Sequence, residues 1–176
     1  MSRAVVALGA NLGEREETLR RALAALGSLP GTAVLRVSPL YETEPVGYLD
    51  QPSFFNAAAE LETGLSPRAL LGACLGIEAG LGRRRSFANA PRPVDLDVLL
   101  MEGIVSSDAE LILPHPRMGE RGFVLIPLRE LYPDGCPLGF DFRREMAAAS
   151  AEGVSYYKGT GWWNPPLHKP VNSAYT

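Results

Sequence analysis

The sequence of 176 residues contains no long hydrophobic run and only two cysteines. No apolar stretch approaches the roughly 20 residues that a helix needs to cross a bilayer, which excludes a membrane-spanning class. Cys74 and Cys136 lack the spacing of a metal site, so both are expected to be reduced thiols. The apolar part of the N-terminus is too short for a signal peptide, and a cytoplasmic location is therefore the default expectation.

An excess of positive charge is also missing. The chain has 17 Lys and Arg against 20 Asp and Glu, a formal net charge of −3 at pH 7. A general nucleic-acid binder needs an excess of basic residues, so this class is not expected. Arginines are nevertheless concentrated locally, at Arg83, Arg84, Arg85 and Arg92. Such a cluster fits a small polyanion, and we expect small-molecule partners with no nucleic acid and no membrane.

Hydrophobic periodicity predicts alternating strands and helices. The predicted strands are residues 3–9, 33–41, 54–62 and 95–101, and the predicted helices are residues 14–26, a segment from Pro67 and residues 123–131. This strand-helix-strand-strand-helix-strand order predicts a single α+β domain over residues 1–150, with a ferredoxin-like sheet covered by helices in three αβα layers. Two segments without periodicity, residues 42–53 and 80–93, are long enough to be functional loops.

The C-terminal residues 151–176 are predicted to be a separate tail. From Gly153 onward the sequence has no periodicity and many turn-forming residues, although it contains both tryptophans. The segment is interpreted either as a native arm or as an extension added for expression, and it is expected to be poorly ordered.

Two carboxylates one residue apart stand out in A-P-R-P-V-D-L-D-V-L-L, residues 90–100. Side chains alternate along a strand, so Asp95 and Asp97 are predicted to share one face. Mg²⁺ is often held by one or two carboxylates, with waters and substrate phosphates completing its ligands. The alternative is a solvated strand start with two surface acids.

A second pair on one face is Phe54 and Asn56, in the strand predicted over residues 54–62. An aromatic ring can stack on a flat heterocycle while an amide hydrogen-bonds its edge. The alternative is an ordinary surface pair. The loop arginines could likewise be merely solvated, although Arg92 lies three residues before Asp95.

Five motifs carry a resemblance to a known family. They are L-G-A-N-L-G at 8–13, Y-E-T-E-P-V-G at 41–47, D-Q-P-S-F-F-N-A-A at 50–58, A-P-R-P-V-D-L-D at 90–97 and L-P-H-P-R-M-G-E-R-G-F-V-L at 113–125. Each motif is weak alone, but together and in this order they are specific. Over about residues 4–135 the chain resembles the 6-hydroxymethyl-7,8-dihydropterin pyrophosphokinase family.

The resemblance implies transfer of pyrophosphate from ATP to the hydroxymethyl group of a pterin, with release of AMP, in folate biosynthesis. It implies that Asp95 and Asp97 hold two Mg²⁺ ions and that Arg83 and Arg92 complete the catalytic set. The implied ATP-binding residues are Leu71, Arg83, Arg85, Arg92, Val98, Ile112, His115 and Arg121. Core packing is the alternative for Leu71 and Val98, and an ordinary surface histidine is the alternative for His115.

On the pterin side, the resemblance implies that Phe54 and Phe123 sandwich the ring. The full implied set is Thr43, Pro45, Val46, Phe54, Asn56 and Phe123. The chain departs from the family pattern at Ala88, where relatives often carry an arginine, so one phosphate contact is in doubt. A monomer or weak dimer is expected.

Two other classes of protein account for fewer of these residues. A D-x-D nucleotidyl- or glycosyltransferase would use the same metal-diphosphate chemistry but leaves Phe54, Asn56 and Phe123 without a role. A ferredoxin-like RNA-binding module would carry aromatics within a basic strand, and the sequence has no such pattern.

Overall fold

Eight strands and four α-helices are present in the computed structural model, which describes residues 1–164. In chain order they are β1 (Ser2–Ala10), α1 (Arg15–Gly27), β2 (Thr32–Val37), β3 (Leu40–Thr43), β4 (Phe54–Thr63), α2 (Pro67–Gly80), β5 (Asp95–Met101), β6 (Ser106–Asp108), β7 (Leu111–Leu113), α3 (Gly122–Leu131), α4 (Arg143–Ala148) and β8 (Val154–Lys158). The predicted α+β class is confirmed.

The main sheet is antiparallel, in the order β5-β1-β4-β3-β8, and β2 also pairs with β4. β1 lies between β4 and β5, and its Gly9 is opposite Asn56 on one side and Asp95 on the other. This register brings the first residues of β4 and β5, which are distant in sequence, to the same end of the sheet.

Each face of the sheet is covered by helices. On one face, Leu19 and Leu23 of α1 and Leu70 of α2 pack with Leu96 and other buried strand residues. On the other face, α3 packs against a second set of strand residues, and α4 contributes Met146. α2 begins at Pro67 because the Ser66 hydroxyl accepts a hydrogen bond from the Ala69 N–H, and proline at the first helical position lacks an N–H to satisfy.

Both cysteines are free thiols, as predicted. Cys74 is fully buried within the α2 core, and burial raises the pKa of its thiol to about 12. A thiol of this kind is unreactive at neutral pH because little thiolate is present.

The strand predicted over residues 33–41 is wrong in its continuity, because it is two strands. The break falls at Ser38 and Pro39, between β2 and β3. Ser38 still donates its N–H to the Ala58 carbonyl, but Pro39 has no N–H to donate to a ladder. Val37 and Leu40, three residues apart, both pack in the same core, so the two-residue alternation ends at the break, and Pro39 was the signal available in the sequence.

The prediction of a separate, poorly ordered tail over residues 151–176 is also corrected, for the part that the structure describes. β8 pairs with β3, and Trp162 is 2% exposed within the helix-covered core. Ladder pairing is made by backbone groups and needs no alternation of side chains, so a sequence without periodicity can still add a strand. Residues 165–176, which the prediction also included, lie outside the described residues.

No helix described over residues 1–164 is long and apolar enough to cross a membrane.

Candidate functional site

A pocket opens where the first residues of β4 and β5 meet the end of β1. Its empty volume is about 1010 Å³, including the open mouth. The predicted site residues among its lining are Thr43, Val46, Phe54, Asn56, Arg92, Asp95, Asp97, Arg121 and Phe123. Residues predicted for two different substrates therefore line one pocket.

Asp95 and Asp97 line this pocket, while Leu96 between them is buried in the core that packs against α1 and α2. The alternation predicted from sequence is confirmed. Asp95 accepts from Arg83 on one oxygen and from Arg92 on the other, the latter at 2.7 Å. Burial alone would raise the pKa of Asp95, but the charges of Arg92 and Arg83 outweigh it and lower the pKa. Asp95 is therefore held as a carboxylate.

The environment of Asp97 differs from that of Asp95. Burial and the neighbouring Asp95 raise the pKa of Asp97, against the opposing charges of His115 and Arg121. An Arg121 nitrogen lies 4.0 Å from an Asp97 oxygen, the limit of an ion pair. Burial also lowers the pKa values of both His115 and Arg121. The surrounding positive charges therefore lower the pKa of Asp95 but do not offset the rise in the pKa of Asp97.

The opposite wall is built from β3, β4 and the start of α3. The Asn56 amide donates to the Thr43 hydroxyl at 2.6 Å, and both side chains are buried. Phe54 and Asn56 both line the pocket whereas Phe55 packs in the core, as the alternation predicted. The amide of Asn56 therefore has a fixed orientation toward the pocket.

Each pocket phenylalanine has an arginine over its ring. The Arg92 guanidinium carbon lies 5.0 Å from the Phe54 centroid, and that of Arg121 lies 5.6 Å from the Phe123 centroid. Both distances are within the range of cation–π attraction. The aromatic wall and the arginine cluster are thus in direct contact.

The other predicted residues do not line this pocket. Arg83 and Arg85 line an adjoining cavity built from residues 83–92, and Arg92 lines both. Leu71 is partly buried and Ile112 is 42% exposed. Val98 is 3% exposed, in the core that packs against α1 and α2. Pro45 and His115 are partly buried near the pocket residues in sequence, without lining it.

One buried carboxylate was missed by the sequence analysis. Glu78 of α2 is 3% exposed and accepts from the Leu96 N–H at 2.8 Å and from Arg83 at 2.7 Å. Burial raises the pKa of Glu78, opposed by these donors. The available signal was its spacing: Glu78 follows Cys74 by four residues, which places a charge on the buried face of the helix.

A polar cluster that joins the loops was missed as well. The Asn11 amide donates to the Gln51 side chain at 2.8 Å and to the Pro52 carbonyl at 3.0 Å, and its oxygen accepts from the Arg92 N–H at 2.9 Å. Gln51 in turn donates to the Asn89 carbonyl at 2.9 Å. Asn11 and Gln51 belong to the motifs L-G-A-N-L-G and D-Q-P, but their mutual contact depends on the tertiary fold.

Asp95 and Asp97 are the two neighbouring pocket carboxylates that could hold a metal ion together. Within residues 1–164, no group of three or more His, Cys, Asp or Glu side chains is arranged to hold a metal ion. Any cation here must complete its ligands with water or substrate oxygens, a coordination that suits Mg²⁺.

Several known proteins are similar in sequence to this chain. Residues 5–133 match the family described as 7,8-dihydro-6-hydroxymethylpterin-pyrophosphokinase (HPPK). A 2-amino-4-hydroxy-6-hydroxymethyldihydropteridine pyrophosphokinase of Methylorubrum extorquens is 43% identical over 154 residues, 88% of this chain and 98% of that protein. The protein of the same name from Bacillus subtilis is 48% identical over 128 residues, 73% of this chain and 77% of its own length.

Solved structures share the fold. An HPPK-DHPS crystal structure in complex with substrates has a TM-score of 0.64 at 15% identity, over 84% of this chain and 43% of that one. The wild-type HPPK-DHPS of Plasmodium falciparum gives the same TM-score over 89% of this chain and 47% of that one. This chain therefore spans less than half of those proteins. From the sequence matches above, it belongs to the 7,8-dihydro-6-hydroxymethylpterin-pyrophosphokinase family.

Proposed function

We propose that this protein transfers pyrophosphate from ATP to the hydroxymethyl group of 6-hydroxymethyl-7,8-dihydropterin, releasing AMP, in folate biosynthesis. The observation that carries this proposal is that one pocket is lined by all of Asp95, Asp97, Phe54, Asn56 and Phe123. The names of the Methylorubrum and Bacillus relatives state the same pyrophosphokinase activity on a hydroxymethylated pteridine.

Phe54 and Phe123 are proposed to hold the pterin ring between them. Asn56 would then hydrogen-bond the polar edge of the ring, because its amide is fixed by Thr43 at 2.6 Å. Pro45 and Val46 follow Thr43 at the start of the loop, and the 58% exposure of Val46 suits a residue at the mouth. Aromatic stacking with one fixed amide favours a flat, polar-edged heterocycle.

The arginines are proposed to bind the triphosphate. Arg83, Arg85 and Arg92 share the cavity that adjoins the pterin pocket, and an Arg121 nitrogen lies 4.0 Å from an Asp97 oxygen. A guanidinium fork matches phosphate oxygens in pairs, and charge-assisted hydrogen bonds are stronger than neutral ones. His115 is proposed as a further phosphate contact, and Leu71, Val98 and Ile112 as residues around the adenine and ribose.

Asp95 and Asp97 are proposed to hold two Mg²⁺ ions. Their shared face, their pocket position and the lack of a third acidic ligand within the described residues fit ions that take their other ligands from phosphates and water. Bound Mg²⁺ would neutralise phosphate charge as it develops during transfer. Glu78 would act at a distance, by orienting Arg83 through its 2.7 Å contact.

In the proposed reaction the pterin hydroxyl oxygen bonds to the β-phosphorus of ATP, and the bond between that phosphorus and the α–β bridging oxygen breaks to release AMP. The residues contribute mainly by positioning and by neutralising charge. Asp97 is the better placed of the pair to accept the hydroxyl proton. Asp95 already accepts from two arginines, whereas within residues 1–164 the recorded ion pair of Asp97 is the 4.0 Å contact to Arg121.

Further proposals concern the sheet architecture, the domain bounds, the location and the oligomeric state. We propose a ferredoxin-like description of the sheet, supported by the order β5-β1-β4-β3 and by helices on both faces. The pyrophosphokinase unit, predicted as residues 1–150, is proposed to include β8 as well. A cytoplasmic location, a monomeric or weakly dimeric state and a lack of nucleic-acid and membrane partners remain predictions.

The deciding assay measures nucleotide products from ATP and Mg²⁺, with and without 6-hydroxymethyl-7,8-dihydropterin. Pterin-dependent formation of AMP is expected, because pyrophosphate transfer leaves AMP. Formation of ADP would instead indicate transfer of the γ-phosphoryl group, and product formation independent of the pterin would contradict the assigned acceptor.

Replacing Gly9 by alanine is expected to raise the KM for the pterin about tenfold. A Cβ at Gly9 would lie 2.8 Å from the Asn56 side-chain oxygen, so the amide must shift from the position set by Thr43. Loss of about one hydrogen bond to the substrate corresponds to roughly a tenfold effect. Steady-state kinetics with each substrate varied would measure the change.

Gly72→Ala is the matched control for Gly9→Ala. A Cβ at Gly72 meets nothing within 4 Å, and alanine favours the α2 helix. Its pterin KM is expected to stay within about twofold of the wild type. An equal pterin KM for Gly9→Ala and Gly72→Ala would contradict the positioning of Asn56.

Replacing Ala88 by arginine is expected to raise kcat/KM about threefold. Ala88 is exposed and lines the arginine cavity, so a guanidinium there can reach a bound triphosphate. The gain should shrink at high salt, since an exposed charge is screened. Kinetics at two ionic strengths would measure it, with Ala88→Gln as the uncharged control; no gain over Ala88→Gln would contradict a missing phosphate contact.

A further inference from the structure

The segment of residues 153–162, here called the C-terminal strap, starts at the rim of the pocket. The Glu44 N–H donates to the Gly153 carbonyl at 2.8 Å, and Thr43 pairs with Val154 in the β3–β8 ladder. Glu44 and Thr43 both line the pocket. The strap is therefore bonded to the backbone that carries the proposed pterin-binding residues.

The other end of the strap is anchored in the core. Trp162 is 2% exposed, and its indole N–H donates to the Ser38 carbonyl at 2.9 Å, at the break between β2 and β3. Arg20 of α1 donates to the Trp162 carbonyl at 2.7 Å, and Lys158 pairs with Glu16 of α1 at 2.8 Å. The strap thus spans the whole of β3, from the break before it to the rim after it.

β3 needs this support because it is short. It has four residues, pairs with β4 through only three of them and is followed by the long loop that ends at Ser53. A short strand with one partner leaves its other edge unpaired, and its ends open readily. Pairing with β8 gives β3 a second partner, which holds Thr43 in place.

The strap also packs beside the first residues of β4. The Tyr157 ring lies 4.4 Å from the Phe55 ring, and the Arg15 guanidinium lies 3.8 Å from the same ring. Phe55 is flanked in sequence by Phe54 and Asn56, the two pocket residues of β4. Immobilising Phe55 therefore restrains the backbone of both neighbours.

We propose that the C-terminal strap is a positioning element of the pterin site, which holds the end of β3 so that Thr43 fixes the Asn56 amide and Glu44 forms the rim. This inference rests on the proposed function, since it concerns the site assigned to the pterin. It gives a role to a segment whose sequence has no periodicity and none of the five family motifs.

Gly153→Val tests the strap at the rim. Gly153 has φ +68°, and a Cβ there would lie 3.1 Å from a Glu44 carboxylate oxygen and 3.2 Å from the Glu44 Cβ. The variant is expected to bind the pterin about tenfold more weakly in the presence of a nonhydrolysable ATP analogue. Binding of that analogue alone should change less than about twofold, and amide hydrogen exchange at Glu44 should accelerate.

Gly139→Val is the matched control. Gly139 has φ +84°, so valine there meets the same backbone penalty, but a Cβ at Gly139 has no neighbour within 4 Å. It should bind the pterin within about twofold of the wild type. If Gly153→Val does not fold, Trp162→Phe replaces it, since phenylalanine retains an aromatic ring in the core and removes the bond to Ser38; about threefold weaker pterin binding is then expected.

Two outcomes overturn the strap proposal. One is equal pterin affinity in Gly153→Val and Gly139→Val, and the other, should Trp162→Phe be needed, is unchanged pterin affinity in that variant. The wild-type chain is assayed first for pterin-dependent AMP release. A failure there contradicts the proposed function, whereas an active wild type with an insensitive strap variant contradicts the strap alone.

Discussion

Asp97→Asn is expected to lower kcat for pterin-dependent AMP release by about a thousandfold, the largest effect of any single change proposed for this chain. Asparagine keeps the shape of the side chain but removes its negative charge. The pocket would then lose one of its two proposed metal ligands and the proposed acceptor of the hydroxyl proton. Turnover should be measured at saturating Mg²⁺, so that weak metal binding does not hide the chemical defect.

The matched control for this change is Asp141→Asn. The Asp141 side chain is 60% exposed and pairs at 2.7 Å with Arg143, and neither residue lines the pocket. Its loss should leave turnover within about twofold of the wild type, because exposed ion pairs contribute little. Near-normal turnover of Asp97→Asn at saturating Mg²⁺ would refute the assigned role of the carboxylate.

Arg92→Ala is expected to lower kcat/KM by about a hundredfold, because Arg92 contacts both halves of the site. It donates to Asp95 at 2.7 Å and lies 5.0 Å from the Phe54 ring centroid. Its charge also opposes the effect of burial and lowers the pKa of Asp95, so its removal moves that pKa upward. Kinetics with ATP and with the pterin varied in turn would measure the loss on each side.

Arg92→Lys separates charge from shape. Lysine restores the positive charge but not the planar fork that can contact two oxygens at once. The kcat/KM of Arg92→Lys should therefore exceed that of Arg92→Ala by less than about tenfold. Arg143→Ala removes an exposed arginine and is expected to change kcat/KM by less than about twofold. An Arg92→Ala protein within about tenfold of the wild type would contradict a central role for this arginine.

The parts of the fold predicted correctly depend on local periodicity. The strands at Asp95–Met101 and Phe54–Thr63 and the helix from Pro67 follow from alternation, from three- and four-residue spacing and from the Ser66 cap. The interruption at Ser38 and Pro39 was missed, although Pro39 lacks the N–H that a strand donates to its partner. β8 was missed because its sequence shows no pattern, while its backbone pairs with β3.

The same division applies to the candidate site. Alternation correctly placed Asp95 beside Asp97, and Phe54 beside Asn56, but gave no distance between the two pairs. The spacing of Glu78 could have placed it on the buried face of α2, but its role depends on a hydrogen bond to the Leu96 N–H, eighteen residues away. Contacts of this separation are made by packing, which local sequence patterns do not specify.

The sequence by itself thus determined which side chains share a face and, through five motifs, the family to which the chain belongs. Only the tertiary structure decided that both faces line one pocket. The physical reason is the register of β1, in which Gly9 lies between Asn56 and Asp95. Side-chain periodicity is a property of one strand, whereas register is a property of paired strands, and here the pairing also brought an unpatterned C-terminal strap to the rim of the site.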